Sequence, residues 1–94
     1  MVDLEKDILW VHGDVNYANV MAIINKGESF FENMTHIQIN LRDVQAHDSA
    51  WLAMLLSWYR SAQKSGKTFH CVIESAALLQ TAKVYDLSVL LPIN

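Results

Sequence analysis

The chain has 94 residues, 52% of them hydrophobic, with three glycines and a lone proline. That composition supports one domain with an apolar core and excludes both a disordered segment and a loop-rich scaffold. The net charge is −3 and the seven lysines and arginines are scattered, so the basic face that nucleic-acid binding requires is missing.

In chain order, Val2 to Glu5 carries a weak strand signal, and "DILWVHGD" predicts a strand from Ile8 to His12 closed by Gly13-Asp14. "NYANVMAIINKG" then places Val20, Ile23, Ile24 and Gly27 at helical spacing. Asp14 or Asn16 is the expected cap, and the helix is expected to run past Gly27 toward Phe30-Phe31. "THIQINL" alternates: Ile37, Ile39 and Leu41 point one way, His36, Gln38 and Asn40 the other. "TFHCVI" repeats the pattern with Phe69, Cys71 and Ile73. One buried face per strand fits a sheet covered by helices on one side, not a doubly wound sheet. Between these strands a long helix runs from Ser49 to about Ser65, capped by Asp48 and stopped by Gly66. Ser75 opens a third helix with Leu78, Leu79, Ala82 and Tyr85 as its stripe, and "VLLPI" is expected to add a last short strand.

Catalytic patterns are missing from this order of elements. His12, His36, His47 and His70 share no metal-pair spacing, and Cys71 is the only cysteine, which excludes a zinc knuckle and a disulfide framework. There is no glycine-rich phosphate loop and no nucleophile elbow. His47 beside Ser49 lacks the orienting third group that an activated nucleophile needs. No enzyme, cofactor or metal is expected. "MVDLEKD" opens acidic where a secretory leader would be basic, and no apolar run approaches a membrane span. The expected location is the cytoplasm, at the inner membrane only through a partner.

The long helix holds the main candidate site. At 100° steps Leu52, Leu55, Leu56 and Tyr59 form one arc, and Trp51, Met54 and Trp58 extend it on one side to roughly half the circumference. Folding alone calls for a narrower stripe, so two readings compete: either neighbouring helices or a loop cover the tryptophans, or the ridge is partly exposed and binds another protein, Trp being enriched at binding hot spots. Ser49 stands beside the ridge in the first turn, where unpaired N–H groups and the helix dipole favour a phosphate. The simpler role for Asp48 and Ser49 is capping.

"THIQINL", a short loop, "DSAWLAMLLSWYRSAQKSGK" and "TFHCVI" together resemble the STAS domain, the fold of bacterial anti-sigma-factor antagonists and of related modules on transporters. The family's hallmark is Asp-Ser/Thr-small-Gly-Leu opening a long helix. Asp48, Ser49, Ala50 and Leu52 match it, with Ser49 at the phosphorylatable position, and "LWVHGDV" looks like the family's second strand. The resemblance implies one STAS domain over residues 1–94: an α/β fold with a single mixed sheet of four or five strands and helices mainly on one face.

Within the family, length, "LAMLLSWYRSAQKSGK" and "AKVYDLSVLLPIN" look like MlaB-like subunits of the phospholipid-transport ABC complex. That likeness implies a non-catalytic subunit that binds the cytoplasmic ABC-transporter ATPase and supports outer-membrane lipid asymmetry. The implied contacts are Asp48, Ser49, Ala50, Trp51, Met54 and Trp58. Oligomeric state stays open, since an unpartnered ridge could pair with itself as a homodimer in the isolated protein. The alternative is an anti-sigma-factor antagonist switched by phosphorylation of Ser49. Trp51 stands where the family has Gly, which crowds the approach to Ser49 and favours constitutive docking.

Overall fold

Each stretch of alternating or helical periodicity becomes an element in the computed structural model, which describes residues 2–85. The order is β1 (Val2–Glu5), β2 (Ile8–Asp14), α1 (Val20–Phe31), β3 (His36–Gln45), α2 (Ala50–Lys64), β4 (Thr68–Ile73) and α3 (Ala76–Val84). The strand expected over "VLLPI" lies outside the described residues. One sheet forms in the order β1-β2-β3-β4. The β1–β2 hairpin is antiparallel, whereas β2–β3 and β3–β4 are parallel because a helix returns the chain between them. The result is a mixed four-stranded sheet with helices packed on one face.

Leu9, Val11, Ile37, Ile39, Leu41, Phe69, Cys71 and Ile73 are all buried under those helices. Each such side chain contributes about 1.5–3 kcal/mol of transfer free energy. Burial also pushes the Cys71 thiol up to about 12, so it stays protonated and unreactive at neutral pH. The opposite face carries Gln38, Asn40 and His70, with the Arg42 guanidinium 5.7 Å from the ring centre of Trp10.

Two backbone devices shape the sheet. The β1–β2 turn is the dipeptide Lys6-Asp7, both with positive φ (53° and 64°), where a tight hairpin prefers Asn-Gly. The double substitution Lys6→Asn/Asp7→Gly is therefore expected to stabilise the domain by about 1 kcal/mol, read as a higher urea midpoint at unchanged m-value. In β3, the register steps from Val11↔Leu41 to His12↔Asp43, leaving Arg42 as the extra residue of a bulge. The bulge shifts the alternation by one, so Val44 is buried although Leu41 is too. It also carries the strand on to Gln45, beyond the end of the clean alternation at Leu41.

α2 lies between two neighbours, α1 and β4. Toward β4, Tyr59 meets Phe69 edge-on at 5.7 Å. Toward α1, Trp58 meets Phe31 edge-on at 6.1 Å, and its indole Nε1 donates to the Ile24 carbonyl at 3.1 Å. The close approach requires Gly27: a Cβ there would lie 2.4 Å from the indole ring. α2 ends in a Schellman motif, with Gly66 at φ 67°, its N–H on the Gln63 carbonyl and the Lys67 N–H on the Ala62 carbonyl. The Ser75 hydroxyl accepts from the Leu78 N–H, as a cap should, and Ala82 is buried. Tyr85 is not part of that stripe, being 61% exposed.

Candidate functional site

The carboxyl ends of β2 and β3 bring together two segments distant in sequence, the β2–α1 loop (residues 15–19) and the first turn of α2. The Val15 N–H donates to the Gln45 carbonyl at 3.0 Å, fixing the start of the loop to the end of β3. Two asparagines then order the loop from within. The Asn16 side-chain oxygen accepts from the Ala18 and Asn19 N–H groups at 2.9 and 3.1 Å. The Asn19 side chain accepts from the Asn16 N–H at 2.9 Å and donates to the Asp14 carbonyl at 2.7 Å. Asn16, one of the two caps expected from sequence, thus accepts from the N–H groups two and three residues on, as a capping side chain does, whereas Asn19, the residue directly before α1, makes no capping bond of its own.

Asp48 joins the two segments. Its Oδ1 accepts from the Ala50 N–H at 2.9 Å, satisfying one orphan donor of α2, while its Oδ2 accepts from the Tyr17 N–H at 3.3 Å. Ser49 supplies the first carbonyl of the helix, accepting from the Leu52 N–H at 3.0 Å, yet its side chain makes no capping bond. The Ser49 Oγ lies instead 2.5 Å from the Tyr17 hydroxyl. Ser49 is exposed and Tyr17 is 64% exposed. Capping therefore falls to Asp48, and the serine hydroxyl is left on the surface.

The apolar ridge is elsewhere. Ala50, Trp51, Met54 and Trp58 are all buried, none exposing more than 2%. The expectation of a Trp51–Met54–Trp58 docking edge is therefore corrected: α2 is covered on a second side by α1, so its wide apolar arc serves two packing surfaces. The outward face of α2 is polar, with Arg60 and Lys64 exposed and Ser57 half-buried. The basis for self-pairing through the ridge goes with it. Trp51 is turned into the core, so its indole does not stand in front of Ser49. Sequence reasoning missed Tyr17, whose contact with Ser49 spans 32 residues; an Asn/Asp-rich loop was the only visible signal.

The chemistry available here is hydrogen bonding and docking. The Ser49 hydroxyl is bonded to a phenol, and a phenol is not the base that activates a nucleophile. Among the described residues no group of three or more His, Cys, Asp or Glu side chains is placed to hold a metal ion. His12 pairs with Asp3 at 2.7 Å, and the His36 Nδ1 lies 2.6 Å from the Thr68 hydroxyl. Among the described residues no helix is long and apolar enough to cross a membrane.

Comparisons with known proteins agree with this architecture. The structure resembles an anti-sigma-factor antagonist from Mycobacterium paratuberculosis at 16% identity and TM-score 0.80, covering 99% of this chain and 81% of that one. It also resembles the anti-sigma-factor antagonist SpoIIAA in unphosphorylated form (14% identity, TM-score 0.75, 100% of this chain and 86% of that one). The phosphorylated form of the Bacillus cell-fate determinant SpoIIAA matches at 14% identity and TM-score 0.70, over 100% of this chain and 89% of that one. No curated protein matches the sequence. The expected ABC-transporter ATPase partner is corrected here, because these similar structures are anti-sigma-factor antagonists and not transporter subunits. The family described as "Mlab, STAS domain" matches residues 2–92, and the chain accordingly belongs to the STAS-domain family, a non-catalytic regulatory fold.

Proposed function

We propose that this STAS domain is a partner-switching regulator of the anti-sigma-factor-antagonist type, with Ser49 as its phosphorylation switch. The observation that carries the reading is the division of labour at the start of α2. Asp48 caps the helix, while the Ser49 hydroxyl is exposed and takes no part in capping. A phosphoryl group can therefore be placed on Oγ without dismantling the helix start. Transfer from ATP breaks the bond between the β- and γ-phosphates at the γ-phosphorus, forms the Oγ–P bond, releases ADP, and sends the hydroxyl proton to a base on the kinase. The product carries about −1.5 to −2 charges at a helix N-terminus beside the Asp48 carboxylate, and a docked partner meets a different surface before and after.

The partner surface in this reading is the β2–α1 loop with the first turn of α2, where Asp48, Ser49 and Tyr17 meet, and Met21 in the first turn of α1 adds an exposed apolar side chain (62%). The MlaB-like reading, an accessory role in phospholipid transport, has the family description in its favour, whereas the three solved structures named above favour the antagonist reading. Intact-mass measurement on protein purified from its native host tests the switch. A phosphorylated fraction that disappears in Ser49→Ala, with an anti-sigma factor co-purifying only with the unphosphorylated form, is the expected result. Unmodified protein under all growth conditions would remove the switch.

A further inference from the structure

Tyr17 holds the first turn of α2 at two points. Its main-chain N–H donates to Asp48 Oδ2 at 3.3 Å, and its hydroxyl lies 2.5 Å from Ser49 Oγ. The loop that carries it is braced by Asn16 and Asn19, so residues 15–19 form a unit with its own hydrogen bonds. Those internal bonds do not depend on α2. The hydrogen bonds between this loop and the start of α2 therefore centre on one side chain and one amide of a single residue.

From this arrangement we propose that Tyr17 is the positioning residue that reports the state of Ser49 to the β2–α1 loop, latched when Oγ is a hydroxyl and released when Oγ is phosphorylated. The inference rests on the reading of Ser49 as a modified residue and adds the element that responds to it. At 2.5 Å from Oγ, the phenol oxygen occupies space that a phosphate oxygen needs. Phosphorylation thus displaces the ring, and the new negative charge also opposes the Asp48 carboxylate that holds the Tyr17 amide. Both attachments weaken together. The Tyr17 side of the loop then parts from the first turn of α2, while Val15, buried and bonded to the Gln45 carbonyl, keeps the base of the loop on β3, and a partner docked across loop and helix loses its joint footing.

Amide hydrogen exchange followed by NMR tests this on the intact chain, with phosphoserine installed at position 49 during translation so that no native kinase is needed. The Tyr17 amide is the reporter, and the Ala18 and Asn19 amides, held by Asn16, are internal controls. Exchange at residue 17 is expected to rise about fivefold or more in the phosphoserine protein, and about fivefold in Tyr17→Phe, as for the loss of one net hydrogen bond. The control amides should change little. Phosphoserine in the Tyr17→Phe background should add less than it does in wild type, because the phenol contact is already gone and only the repulsion of the Asp48 carboxylate remains. Exchange at residue 17 equal to wild type in the phosphoserine protein would overturn the proposal. So would slower exchange, the mark of the phenol re-bonding to the phosphate, or a phosphoserine effect undiminished in Tyr17→Phe. An unphosphorylated Ser49 in the native host sinks the switch but leaves this measurement standing, so the two failures are distinguishable.

Discussion

Trp58→Ala is expected to remove about 4 kcal/mol of stability, a large part of what a domain of this size possesses. Trp58 is fully buried, stacks edge-on against Phe31 and donates its indole N–H to the Ile24 carbonyl. Alanine leaves a cavity between α1 and α2 that the helices cannot close without abandoning their contact with the sheet. Thermal unfolding followed by circular dichroism should show a midpoint lowered by roughly 20 °C, at ~4–8 °C per kcal/mol. A change of only a few degrees would mean that the indole is not packed as described. The result also governs how binding experiments are read: loss of a partner in Trp58→Ala or Trp51→Ala reports unfolding, because neither side chain reaches the surface. Ser57→Ala, on the half-buried outer side of α2, serves as the control and should stay within about 0.5 kcal/mol of wild type.

Gly27→Ala approaches the same contact from the other helix and is expected to destabilise by about 2 kcal/mol. In an exposed helix this substitution stabilises by up to ~1 kcal/mol, because alanine is the better helix former. Here the added Cβ would sit 2.4 Å from one indole carbon and 2.9 Å from Nε1. Relief requires the rings or the helices to move, which costs roughly 1–3 kcal/mol and weakens the buried Trp58–Ile24 hydrogen bond as well. Overpacking therefore outweighs propensity. The diagnostic is a double-mutant cycle: Trp58→Phe, whose single ring lacks the indole's outer six-membered ring and with it the clashing Cζ2, should recover part of the loss in the Gly27→Ala background. Additive effects, or a stabilised Gly27→Ala, would show that the two residues do not meet.

The parts of the fold that were legible in the sequence are those decided by local periodicity and by capping. Alternation in "THIQINL" and "TFHCVI" identified both the buried face of the sheet and its single helical layer, because each strand meets helices on one side only. Gly66 and Ser75 marked helix ends through backbone chemistry that needs no tertiary partner. What escaped was set by contacts between distant segments. The Arg42 bulge breaks the alternation, so β3 looked finished at Leu41 when it runs to Gln45. A helix wheel counts apolar residues but not neighbours, so Trp51, Met54 and Trp58 read as surplus until α1 was seen to cover them. Asp48 and Ser49 were visible as a helix start, whereas their division of roles depends on where the Tyr17 loop lands.

That division also makes position 49 a convenient labelling site. Cys71 is the only cysteine in the chain, buried and held as an inert thiol. A Ser49→Cys protein would thus present one accessible sulfhydryl, at a position whose native side chain the helix start does not use. A maleimide fluorophore attached there would sit on the first turn of α2 against the β2–α1 loop. Partner arrival could then be followed as a change in emission, without removing the chain's own cysteine.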